Sequence, residues 1–80
     1  MELELKCKSF KHGTKKNGNP YLMIGFGDSV FGFVAQDDMD RFEGLRKGDI
    51  IDVEVLGFKD EKTGHIDIKF FPRDILLPPG

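Results

Sequence analysis

Disulfides, catalytic motifs and long apolar runs are all missing from these eighty residues. With one cysteine, Cys7, no internal disulfide can form, and a reducing compartment, the cytoplasm, is the simpler expectation. The opening Met-Glu-Leu-Glu-Leu-Lys lacks the build of a signal peptide. The longest apolar run, Tyr21 to Phe26, contains Gly25 and is far too short to span a bilayer, so no membrane association is expected. There is no Gly-x-x-x-x-Gly-Lys-[Ser/Thr] phosphate loop, no two-His zinc motif and no Cys-x-x-Cys pair. His12 and His65 are far apart in sequence, and Cys7 falls on the apolar side of a strand, where a buried, inert thiol is expected. Gly25-Phe26-Gly27 is no dinucleotide fingerprint, since no helix follows it. The expectation is a non-enzyme with no metal and no cofactor.

What is present describes an ordered domain. A hydrophobic content of 39% with eight Phe, set against 32% charge and no low-complexity tract, excludes a disordered chain. Residues 1–80 make one domain. Its core buries only about 60% of the unfolded surface, which makes a homodimer expected as a source of further burial.

Period-2 alternation dominates the pattern. Leu3, Leu5 and Cys7 take one face while Glu2, Glu4, Lys6 and Lys8 take the other, the signature of a half-buried strand. A second strand is predicted from about Tyr21 to Phe26, and Gly27-Asp28-Ser29 turns the chain into a third, Val30 to Ala35. Gln36 to Leu45 is the one predicted helix, with Asp37 or Asp38 capping its start, Gly44 stopping it, and Met39 and Phe42 on one face. Lys47-Gly48-Asp49 leads into a fourth strand, Ile50 to Phe58. A loop from Lys59 to Gly64 precedes the fifth, from His65, with Ile66, Ile68 and Phe70 inward and Asp67, Lys69 and Phe71 outward. A tail from Pro72 to Gly80 closes the chain. Three strands, a short helix and two strands is the order of the all-β, five-stranded antiparallel Greek-key barrel called the OB-fold, with its helix between strands 3 and 4. An SH3-like barrel is the structural rival, and it lacks that helix.

The strongest charge feature is a run from Lys6 to Lys16 with five lysines and no Asp or Glu, in a chain of net charge −2. Single-stranded nucleic acid is held by a cationic groove that tracks phosphates and by aromatic rings on which bases stack. Lys6 and Lys8 lie on the outward face of strand one, and continued alternation puts Phe10 beside them. Lys11, Lys15, Lys16 and Asn17 follow in a loop shaped by Gly13, Gly18 and Pro20, which sets Tyr21 at the start of the next strand. The bland alternative is a solvated hairpin with Phe10 turned into the core. Phe58, beside Lys59 at a strand end, is open to two readings: a stacking ring, or a plug for the barrel end or a dimer contact. Phe33, next to Gly32, is either a core residue or a ring on the open sheet face. Asp37, Asp38 and Asp40 read as helix N-terminal charges, with contact to a neighbouring subunit as the functional alternative.

Two stretches resemble known families. Phe31-Gly32-Phe33-Val34, a short helix, and Gly44 to Gly57 resemble the middle of bacterial single-stranded DNA-binding OB domains. Lys15-Lys16-Asn17-Gly18-Asn19-Pro20-Tyr21 resembles the DNA-binding loop of the filamentous-phage gene V type of helix-destabilising protein, and Gly57-Phe58-Lys59 with the following strand resembles that family's late hairpin. The resemblance implies a sequence-independent single-stranded DNA-binding protein that coats replication intermediates of a phage or mobile element, as a homodimer, in the host cytoplasm if viral. On that reading the nucleic-acid-binding residues are Lys6, Lys8, Phe10, Lys11, Lys15, Lys16, Asn17, Tyr21, Phe58 and Lys59. The alternative is an OB-type module that binds RNA, protein or oligosaccharide, its lysines merely solvated.

Overall fold

In the computed structural model, residues 1–76 are described; residues 77–80, which carry the last two prolines of the expected tail, lie outside the described residues. The strands are β1 (Glu2–Lys6), β2 (Ser9–Thr14), β3 (Pro20–Gly27), β4 (Val30–Phe33), β5 (Ile50–Lys59) and β6 (Ile66–Leu76), with a 3-10 helix at Gln36–Phe42. They form one mixed sheet in the order β1-β5-β6-β4-β3-β2. Every neighbouring pair is antiparallel except β4 and β6, which run parallel and meet at Gly32 and Phe70.

Six strands stand where five were expected, because the first expected strand is broken at Cys7-Lys8. Cys7 is buried and donates its N–H to the Asp49 carbonyl at 2.8 Å, whereas Lys8 donates to the Gly25 carbonyl at 2.8 Å on the other side. The chain thus changes partner strand within one peptide unit. Lys8 and Ser9 are both exposed, so the in-out alternation slips by one residue and Phe10 turns inward against the core. This overturns the expectation that Phe10 shares an outward face with Lys6 and Lys8.

The core is built from alternating residues of β3 and β5, from Cys7 between β1 and β2, and from the segment after β4. Cys7, Leu22, Ile24, Phe26, Val34, Phe42, Leu45, Ile51 and Val53 are buried together, with Leu5, Phe10, Met39, Val55, Phe70 and Ile75 packed around them. The helix is shorter than predicted and is 3-10 rather than α. The N-cap position falls on Ala35, whose methyl group can accept no hydrogen bond, and not on Asp37 or Asp38, which lie in the first turn, the Asp38 carboxylate being held by Arg73 at 3.1 Å. Phe42 anchors the segment, and the short apolar face offers little to sustain a longer helix.

Pro72, expected in the tail, lies buried inside β6, where a register shift opposite Asp52 and Val53 leaves Arg73 as the extra residue of a bulge. A proline has no N–H for the ladder and is tolerated at such a break. Its position also explains why β4 and β6 share one bridge only. Gly32 is needed there, since a Cβ would overlap the Phe70 carbonyl oxygen.

Beyond that bridge the β5–β6 hairpin continues as an arm, and the chain measures 47 × 32 × 23 Å. Ile66 and Ile68, expected inward, are each 56% exposed because the core ends before the arm does. Among the described residues no helix is long and apolar enough to cross a membrane.

Candidate nucleic-acid interface

Register places side chains of three strands in rows on the outward face. Lys11 of β2 stands opposite Met23 of β3, which stands opposite Phe33 of β4; the next row is Ser9, Gly25 and Phe31. Gly25 keeps the middle of the second row flat, with the Ser9 hydroxyl lying over it. Tyr21 pairs with Gly13, and its ring lies across the space a Gly13 side chain would need. The Lys8 stem and ammonium lie over Gly27.

Three rings therefore follow one another edge to face. Tyr21 and Phe33 have centroids 6.0 Å apart at 67°, and Phe33 and Phe31 have centroids 6.0 Å apart at 86°. Phe31 and Phe33 are half exposed, at 50% and 51%, an unusual state for two neighbouring phenylalanines of one strand. Lysines border the row on the β2 side.

On the other side, where β4 and β6 diverge from their single bridge, a groove of about 440 Å³ opens. Phe31 and Phe33 form one wall, Phe58, Ile68 and Phe71 contribute to the other, and Phe70 lies between. Phe58 and Phe71 meet with centroids 6.3 Å apart. The Lys69 ammonium sits 5.6 Å from the Phe58 ring centre, and the Arg73 guanidinium 5.8 Å from that of Phe71. Arg73 donates to Glu54 at 2.5 Å and Asp38 at 3.1 Å. These bonds, Glu54 first, hold its pKa above the ordinary arginine value.

The expected site residues separate into two groups. Lys11 and Tyr21 belong to the face just described, Lys8 lies over Gly27, whose partner Val30 packs against the core, and Lys15, Lys16 and Asn17 form the exposed tip of the β2–β3 hairpin. That tip is tight: Lys15 N–H donates to the Asn19 carbonyl at 2.8 Å, and the Asn17 side-chain oxygen accepts from Asn19 N–H at 3.0 Å. Phe58 lines the groove. Lys6 is the last residue of β1, opposite Ile50 of β5, on the other side of the partner exchange at Cys7-Lys8. Phe10 is inward, edge-on to His12 at 5.9 Å. Lys59, opposite Ile66, alternates to the other face of the arm from Phe58.

Phe31 and Lys69 line the groove and Arg73 lies over Phe71, and none of the three was singled out from sequence. A signal for Phe31 exists: in Phe31-Gly32-Phe33, a glycine at the inward position puts both flanking rings outside. Burial, then the charge of Asp49, raises the Cys7 thiol above its ordinary pKa, and its Sγ lies 3.5 Å from the Ser9 carbonyl, which leaves it a neutral packing group. Among the described residues no group of His, Cys, Asp and Glu is placed to hold a metal ion.

The chain matches no known family model, curated protein or solved structure. Its own geometry is what bears on function.

Proposed function

We propose that the protein binds single-stranded DNA without sequence preference, through the outward face of β2, β3 and β4 and the adjoining groove. The observation that carries this reading is the edge-to-face row Tyr21, Phe33 and Phe31, bordered by Lys11 and approached by the Lys15-Lys16 tip. Strands lie about 5 Å apart, so a phosphate at Lys11 on β2 is about 10 Å from a base over β4, within reach of one nucleotide and two lysine stems. Half-exposed rings offer π-faces that every base can use, and lysines at an edge supply point charges for phosphates.

We also infer that the domain is of the OB type, its first strand divided in two. Consecutive strands β1 and β2 at opposite sheet edges, joined by Cys7-Lys8, support that reading, as does the helical segment between β4 and β5. The exposed Ile66 and Ile68 on the arm support a homodimer. Coating of replication intermediates, of the kind phages and mobile elements need, is the role that fits sequence-independent binding.

Titration of a labelled oligo-dT at rising ionic strength tests the function. Affinity is expected to fall linearly on a log-log plot, with oligo-dA and oligo-dC bound about as well. An oligo-U arm decides between DNA and RNA.

A further inference from the structure

The exposed tip of the β2–β3 hairpin holds both asparagines of the chain, Asn17 and Asn19, and their surroundings set them apart chemically. Asn17 is followed by Gly18, whose nitrogen carries a proton; a Cβ built on Gly18 would meet nothing within 4 Å among the described residues, so the space around it is open. Asn19 is followed by Pro20, whose ring nitrogen carries none. The Asn17 carboxamide oxygen accepts a hydrogen bond from Asn19 N–H at 3.0 Å. That N–H polarises the carboxamide carbon and is placed to stabilise negative charge forming on the oxygen, as an oxyanion donor does. Lys15 and Lys16, exposed and just ahead in the chain, add a positive field that favours an anionic nitrogen at residue 18. One contact opposes this: Gly18 N–H donates to the Lys15 carbonyl at 2.9 Å, but at an exposed tip, where water competes for the bond.

We propose that Asn17 is a modification site, hydrolysed to an acid through a cyclic imide with the Gly18 nitrogen, and that the new carboxylate lowers the affinity of the tip for DNA. The second half rests on the single-strand reading above. The Gly18 nitrogen gives its proton to hydroxide and attacks the Asn17 Cγ with the electron pair left behind. A C–N bond forms, the Cγ–Nδ2 bond breaks, and Nδ2 takes a proton from water and leaves as ammonia. Water then opens the imide at either carbonyl, so the sum is one water consumed and one ammonia released. Attack at Cγ leaves aspartate at position 17. Attack at the main-chain carbonyl leaves isoaspartate, whose backbone runs through Cγ and is one methylene longer. Either product puts a negative charge beside Lys16. The longer backbone also disturbs a turn closed by Lys15 N–H on the Asn19 carbonyl at 2.8 Å and Gly18 N–H on the Lys15 carbonyl. Asn19 is barred from the same route by Pro20.

The test is incubation of the full chain at mildly alkaline pH for days, followed by peptide mapping by mass spectrometry and by titration with oligo-dT before and after. Asn17→Gln, whose longer side chain closes the ring far more slowly, is incubated beside it. The unchanged protein is expected to gain the mass of an amide-to-acid exchange at residue 17 and not at residue 19. Its converted form is expected to bind oligo-dT roughly five-fold more weakly, with the salt slope reduced by about 0.7, the loss of one phosphate contact. The Gln variant is expected to keep both its mass and its starting affinity. No mass gain at residue 17, or an equal gain in the Gln variant, overturns the proposed site. Conversion with oligo-dT binding unmoved overturns its effect on binding and leaves the function standing. Failure of the fresh protein to bind oligo-dT removes the functional reading, and the effect on binding with it, whatever the mass shows.

Discussion

Tyr21 lies edge-on to Phe33 with ring centroids 6.0 Å apart, and it holds that place because residue 13, beneath its ring, is a glycine. The aromatic row thus depends on an atom that is absent. Gly13→Ala puts a methyl group where the Tyr21 ring lies, so it is expected to weaken oligo-dT binding nearly as much as Tyr21→Ala, by about 1 to 3 kcal/mol. Phe33→Ala and Phe31→Ala are expected to cost a similar amount each. Isothermal titration of each variant, with circular dichroism to verify folding, checks this; unchanged affinity in Phe31→Ala and Phe33→Ala places the bases elsewhere.

The lysines are predicted to divide by position. Lys11→Ala, Lys15→Ala and Lys16→Ala should each reduce the slope of log affinity against log salt by about 0.7, the single-strand value per phosphate contact. Lys6→Ala should change slope and affinity less than Lys11→Ala, since Lys6 pairs with β5 and not with β3. Equal effects from Lys6 and Lys11 would contradict the assignment of the face.

That division shows what the sequence conveyed and what it hid. The lysine run, Tyr21 behind its Gly-x-Pro turn, and the extents of β3 and β5 are legible because alternation and turn chemistry are local. The partner exchange at Cys7-Lys8 is not, because two strands on opposite sides of the chain compete for the same backbone. Its one trace is the parity of the apolar residues, odd through Cys7 and even at Phe10. Ile66 and Ile68 alternate like core residues although the core stops short of them, and no local pattern marks where a hairpin outruns its partners. Glu54 and Asp38 are far from Arg73 in sequence, and only the fold brings both carboxylates to it.

Arg73 ties three elements together: the 3-10 helix through Asp38, β5 through Glu54, and the Phe71 ring beneath its guanidinium. Arg73→Gln is expected to cost about 1 kcal/mol of stability, a modest figure because the side chain is over one-third exposed and solvent screens the pairs. Arg73→Lys should recover only part, as an ammonium cannot fork between two carboxylates. Urea unfolding measures both; full recovery by lysine would reduce the node to simple charge.

The exposed arm bears on assembly. Replacing Ile66 and Ile68 by Lys places two charges on the exposed apolar face and is expected to give monomers by native mass spectrometry or analytical ultracentrifugation, with the fold retained because both residues lie outside the core. A dimer that survives both substitutions assembles through another surface.

The most direct test of the central claim is the oligo-dT titration across ionic strength. The predicted result is binding that weakens linearly on a log-log scale with a slope of about −2, the value for three phosphate contacts by Lys11, Lys15 and Lys16, and little distinction among dT, dA and dC. No binding at low salt, or binding that ignores salt, would contradict it.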